Sequence, residues 1–232
     1  MIARTEKYIQ RLQKFRDEVT VYPVSSERLA EGRSDKQWLD DVLQGGAKIV
    51  QLRDKESTDR QLLEKAKYFR KKTRDAGALF MINDRVDIAL LADADGIHLG
   101  QKDLPSEEVV KLVPDMLIGI SCNSELQASQ LGKMEREGML SASYYNIGPI
   151  YLTKTKEGLT EFIGPEAIEL FSSYVSIPFT VMGGIKLEHV AELVACGVRR
   201  IAVVTALTKA PDITAETRRW VKTINEAYKS KR

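Results

Sequence analysis

The sequence predicts an α/β chain folded as a (β/α)8 TIM barrel with an extra N-terminal helix. Eight short β-branched or apolar runs alternate with eight helical patterns, the count such a barrel needs. No low-complexity tract or Pro/Gly/Ser linker interrupts the alternation. A length of 232 residues fits one large domain of this kind, though it fits two small ones as well. An open doubly wound sheet is the rival, and it seldom runs to eight regular units without a second domain.

The elements follow in order. Residues 1–18 are additional to the barrel count. Ile9, Leu12 and Phe15 fall on one helical face with Ile2 and Tyr8 nearby, which predicts a helical extension packed under a barrel domain spanning 19–232. The strand runs are 19–24, 47–52, 78–82, 95–99, 116–120, 143–147, 178–182 and 199–204. Between them lie helical stretches such as TDRQLLEKAKYFRKKTRDAG and SELQASQLGKMEREG, and Gly45, Gly77, Gly138 and Gly197 are placed to end helices.

Composition bounds the function. Hydrophobic residues make up 43% of the chain and charged ones 29%, enough for a real core and a soluble surface. A formal net charge of +2 is too balanced for a nucleic-acid footprint, but it allows a local basic patch. Cys122 and Cys196 make no disulfide framework or metal cluster. With no signal-peptide pattern and no run of the ~20 apolar residues a spanning helix needs, a cytoplasmic protein with no membrane partner is expected. A homo-oligomer remains open.

Barrel active sites lie at the C-terminal ends of the strands, and the unusual polar residues gather there. Strand two ends Gln51-Leu52-Arg53-Asp54-Lys55. Alternation puts Gln51, Arg53 and Lys55 on one face, where an anion such as phosphate suits them better than burial alone; a rim salt bridge to Asp54 or Glu56 is the plainer alternative. Asp84 after strand three reads alone as a helix cap. Ser106 reads as the cap of the next helix, which leaves Asp103 after strand four without a structural task. Two carboxylates on neighbouring strand ends suggest a cation between them, with Mg²⁺ the hard-oxygen choice. His98 in strand four reads as a satisfied inner residue that lines a pocket, and His189 as a surface residue. The long segment GPIYLTKTKEGLTEFIG carries Thr153, Thr155 and Lys156, which suit phosphate oxygens in a loop that closes over substrate. Gly183-Gly184 after strand seven and Val204-Thr205 after strand eight suit phosphate on backbone N–H groups.

The strings QLRDK, INDRVDIAL, ADGIHLGQKDLP, GIS, GPIYLTKTK, GGI and VVTA run in this order from Tyr22 to Thr205. Together they resemble the thiamine phosphate synthase family. The resemblance implies a transferase with small-molecule substrates. It would join 4-amino-2-methyl-5-hydroxymethylpyrimidine diphosphate to thiazole phosphate, releasing diphosphate by way of a pyrimidine cation. It assigns Gln51, Arg53, Lys55, Asn83 and Lys156 to the diphosphate and Asp84 and Asp103 to Mg²⁺. Ser121, Thr153, Thr155, Gly184, Val204 and Thr205 fall to the leaving group and thiazole phosphate, and Tyr22 and His98 to the pyrimidine pocket. Arg53, Lys55, Lys156 and Ser121 are the implied catalytic groups. Three positions depart from the family pattern: Leu152 for proline, Asn123 for histidine and Asn146 for a small residue. Two other readings exist for such a barrel. A thiazole tautomerase typically lacks the QxRxK string and the paired aspartates, and a non-catalytic phosphate-binding barrel would leave a metal site and two anion sites without a purpose.

Overall fold

The computed structural model describes residues 4–152 and 162–231. Helix α1 (Glu6–Glu18) precedes β1 (Val21–Pro23), and the alternation then runs α2 (Asp35–Gln44), β2 (Ile49–Leu52), α3 (Asp59–Asp75), β3 (Leu79–Asn83), α4 (Val86–Leu91) and β4 (Gly96–Leu99). It continues with α5 (Ser106–Leu112), β5 (Leu117–Cys122), α6 (Glu125–Arg136), β6 (Tyr144–Ile147), α7 (Glu166–Tyr174), β7 (Phe179–Met182), α8 (Val190–Ala195), β8 (Ile201–Val203), the single turn α9 (Thr205–Thr208) and α10 (Ile213–Ser230). All pairings are parallel, in the order β1-β8-β7-β6-β5-β4-β3-β2. Val24 bridges Gln51, and the Ser25 N–H donates to the Gln51 carbonyl at 2.9 Å, which closes the ring between β1 and β2. The expected (β/α)8 barrel with an N-terminal helix is the observed fold.

Strand alternation sorts the core into two layers. Val50, Leu52, Ile97 and Leu99 face the helices and pack with Trp38, Phe69 and Ile88. Ile49, Met81, Leu117 and Tyr144 face inward. Helix α1 plugs the N-terminal end of this inner layer. Phe15, fully buried, stacks on Tyr144 with ring centroids 4.6 Å apart.

The buried face of α1 differs from the expected one. It consists of Tyr8, Arg11 and Phe15 with Leu12 alongside, whereas Ile9 is 56% exposed. The reason is ionic. Arg11 is buried, and its guanidinium donates to the Asp95 carboxylate at 2.9 Å and to the Ala94 and Asp115 carbonyls, so the helix turns to bring Arg11 inward. Arg200 on the last strand's lead-in donates to the Phe15 and Arg16 carbonyls at 2.8 and 2.7 Å, satisfying groups the helix end leaves unpaired.

The left-handed glycines after α3, α6 and α8 are Gly77, Gly138 and Gly197 as expected; after α2 the role falls to Gly46, since Gly45 keeps a helical backbone as the C-cap and lies close against Thr217 of α10. No described helix is long and apolar enough to cross a membrane.

Phe15→Ala removes the stacked plug. It should lower stability by about 3–5 kcal/mol, read as a fall in the urea midpoint at unchanged m-value.

Candidate functional site

The floor of the barrel mouth is a line of hydrogen-bonded side chains from five strands. The Gln51 amide donates to the Tyr22 hydroxyl at 2.9 Å; Tyr22 and Tyr144 share a bond of 3.0 Å. His98 Nδ1 lies 3.2 Å from the Tyr144 hydroxyl, and its Nε2 lies 3.1 Å from Ser121 Oγ. Donation from Gln51 towards Ser121 satisfies every one of these links, with the His98 proton on Nε2. Burial pushes both tyrosine hydroxyls above their ordinary range. Gly119 makes room for the line: a Cβ there would come within 2.2 Å of the Tyr144 ring and 2.6 Å of His98. Residue type does not single out Tyr144, which sits in the run Tyr144-Tyr145; the strand register shows which ring points inward.

Above the floor opens a cleft of about 1000 Å³. Every described site candidate lines it: Tyr22, Gln51, Arg53, Lys55, Asn83, Asp84, His98, Asp103, Ser121, Gly184, Val204 and Thr205. Thr153, Thr155 and Lys156 lie outside the described residues.

On the β2 side, the rim salt bridge considered for Arg53 does not form. Asp54 turns away to Lys65 and Ser57, and Glu56 pairs with Arg28. Lys55 instead meets the Asp84 carboxylate. Asp84 reaches this position from a left-handed backbone, φ 62°, a conformation aspartate tolerates better than most residues. It caps nothing: Arg85 is the N-cap of α4 and no side chain bonds there. Ser106 is likewise not a cap. It is the first residue of α5, with Pro105 before it and no capping bond. Asp103 does have a structural task, since its carboxylate accepts the Gly100 N–H at 2.6 Å. Burial and the adjoining Asp84 carboxylate hold the Asp103 carboxyl above its usual range. Two hard-oxygen groups crowded at neighbouring strand ends, partly offset by a lysine, fit a divalent cation.

Across the cleft, Gly183 and Gly184 have φ of 103° and 63°. The loop after β6 crosses them so closely that a Cβ on Gly184 would meet the Leu152 carbonyl at 2.5 Å. The pair is therefore required by loop packing as well as by any ligand. His189 lies at the surface but is half-buried: its ring packs at a tilt against Tyr151 with centroids 4.0 Å apart, and its side chain is 22% exposed. All three departures, Leu152, Asn123 and Asn146, also line the cleft. Asn146 accepts a bond from Thr180 Oγ1 at 2.7 Å, and the Asn123 amide donates to the Gly148 carbonyl. Among the described residues, the one group of three acidic side chains close enough to hold a metal is Glu27, Asp35 and Asp54, and Lys65 Nζ already bonds to all three.

Residues 21–207 match the family model described as thiamine monophosphate synthase. The chain belongs to the thiamine monophosphate synthase family. A thiamine-phosphate synthase from Pelotomaculum thermopropionicum is 40% identical over 202 residues, covering 87% of this chain and 90% of that protein. One from Shouchella clausii is 36% identical, covering 89% and 97%. A solved structure of thiamine phosphate pyrophosphorylase from Pyrococcus furiosus superposes with a TM-score of 0.81 at 32% identity, covering 92% of this chain and 98% of that one. Membership makes the chain an enzyme, a transferase.

Tyr144→Phe deletes the hydroxyl that joins the two halves of the floor. With Tyr22 and His98 left short of a partner, it should cost about 1–3 kcal/mol, measurable by urea unfolding.

Proposed function

We propose that the protein is a thiamine phosphate synthase. It couples 4-amino-2-methyl-5-hydroxymethylpyrimidine diphosphate with thiazole phosphate, releasing diphosphate in a Mg²⁺-dependent, dissociative reaction. The observation that carries this reading is the polarity of the cleft. Arg53, with no side-chain partner among the described residues, stands beside the Lys55–Asp84 and Asp103 group on one rim. The glycine pair and the first turn of α9 stand on the other. One rim suits a diphosphate with its cation, and the opposite one a phosphate monoester held by backbone N–H groups.

The chemistry follows from that division. The methylene C–O bond breaks and its electron pair leaves on the diphosphate oxygen. Arg53 and Lys55 stabilise the charge that develops there, more in the transition state than in the ground state. Mg²⁺, when held by Asp84 and Asp103, supplies further charge neutralisation on the leaving group. The thiazole nitrogen lone pair then forms the C–N bond, and the positive charge passes to the ring. No proton moves in that step, so no general base is needed. Gln51, Tyr22, His98 and Ser121 line the floor on which the pyrimidine rests, and exclusion of water favours thiazole as the trapping nucleophile. The unpaired Cys122 and Cys196 accord with a reducing, cytoplasmic setting.

Mixing the two substrates with and without Mg²⁺, and following diphosphate and thiamine phosphate, tests the reading directly. Product should form only with the metal; a folded protein that yields none in its presence would contradict the proposal. Asp103→Asn keeps an oxygen for the Gly100 N–H but loses the charge, so turnover should fall by about 10–100-fold while the melting temperature holds. Arg53→Ala should weaken inhibition by diphosphate by about 10-fold or more, seen in competition kinetics.

A further inference from the structure

Arg53 and Lys55 flank Asp54. The two cationic side chains line the cleft, while Asp54 points the other way, into a cluster beneath the rim. At the centre of that cluster is Lys65 of α3. Its ammonium lies 2.6 Å from Glu27, 2.9 Å from Asp35 and 2.5 Å from Asp54. These carboxylates come from three separate segments: the turn after β1, the start of α2 and the turn after β2.

We propose that Lys65 is a positioning residue for the diphosphate end of the cleft, holding the turn after β2 so that Arg53 and Lys55 meet the leaving group together. The proposal rests on the reading of those two side chains as anion ligands. Lys65 touches no substrate; it acts through Asp54.

The geometry supports each link. Asp54 Oδ1 accepts the N–H groups of Glu56 and Ser57, both at 2.9 Å, while its Oδ2 accepts the Ser57 hydroxyl at 2.7 Å and Lys65. One carboxylate therefore sets the whole turn that carries Lys55. The N–H of Arg53 donates to Ser25 Oγ at 3.0 Å, which ties the other end of the same turn to the β1 side. The arrangement needs an ammonium. Its three donors match three converging carboxylates, and the side chain is only 13% exposed, so the bonds are shielded from water. Without it, three carboxylates would face one another, with Asp35 and Asp54 buried at 2% and 6% exposure, and the segments bearing them would separate. Asp35 shows how tight the balance is: burial pushes its carboxyl up to about 6 despite Lys65. Asp54, held by Lys65 and Ser57, stays well below the usual carboxylate range.

A merely structural lysine would lower stability and leave the two ends of the cleft equally able to bind. A positioning lysine acts at one end. The experiment compares Lys65→Met with the unchanged protein, using pyrophosphate with MgCl2 in calorimetry and both substrates in steady-state kinetics. Pyrophosphate affinity and the KM for the pyrimidine diphosphate should worsen about 10- to 100-fold, with the KM for thiazole phosphate unchanged. The loss should persist at 0.5 M NaCl, where a through-space effect of one charge is screened. A folded Lys65→Met protein with unchanged pyrophosphate affinity, with equal losses at both ends, or with a loss that disappears at high salt would overturn the proposal. Should Lys65→Met fail to fold, Asp54→Asn serves in its place. It keeps an acceptor for the Glu56 and Ser57 amides, removes the charge that meets Lys65, and carries the same expected outcomes. Arg53→Ala in the same series separates the two levels of the argument. A loss with Arg53→Ala but none with Lys65→Met sinks the positioning role alone, whereas no loss in either sinks the anion-site reading too.

Discussion

Closure of the sheet is the constraint on which everything else depends. Once the Ser25 N–H reaches the Gln51 carbonyl, the barrel has an inside, and each strand offers it only every second residue. Helix α1 stops the lower end of that space with Phe15 and Tyr8. Polar side chains on the inner face then have one place to be hydrated or to meet a ligand, the upper mouth. Gln51, Tyr22, Tyr144, His98 and Ser121 lie just below it and solve their burial by bonding to one another. The charged residues stand one step higher, at the rim.

That rim is electrostatically divided. Its β2–β4 side holds Arg53, Lys55, Asp84 and Asp103 within one lining, so both signs of charge are near at hand. The β7–β8 side offers glycines and a helix start instead. Charged side chains suit a ligand whose charge changes during reaction. Backbone dipoles suit one whose charge does not. In the proposed reaction that division would suit a diphosphate that leaves and a phosphate that stays with the product.

Much of this could be read in the sequence because strand alternation is local. The parity of Gln51, Arg53 and Lys55, and the opposite parity of Val50 and Leu52, needs only neighbouring residues, and both hold in the structure. What could not be read depends on segments far apart or on backbone choices that residue type does not fix. Ile9 looked buried by periodicity, yet Arg11 took the inner face because Asp95 waited there, 84 residues away. Asp84 looked like a cap, yet its left-handed backbone turns it to Lys55. Asp103 looked idle, although it folds back on Gly100. Lys65 and its three carboxylates come from four positions that no single stretch brings together.

The arginine bonds that seat α1 have a kinetic meaning. Arg200 holds the carbonyls of Phe15 and Arg16 across 185 and 184 residues of chain, and Arg11 holds Asp95 across 84. Helix α1 thus has no complete berth until the segment leading into β8 is in place. Until those bonds form, the lower mouth stands open with Tyr144 uncovered. Contacts of such sequence separation slow the final step of folding. Once made, they join α1 to the β4 and β8 sides of the barrel, so that fraying of the helix is opposed by both.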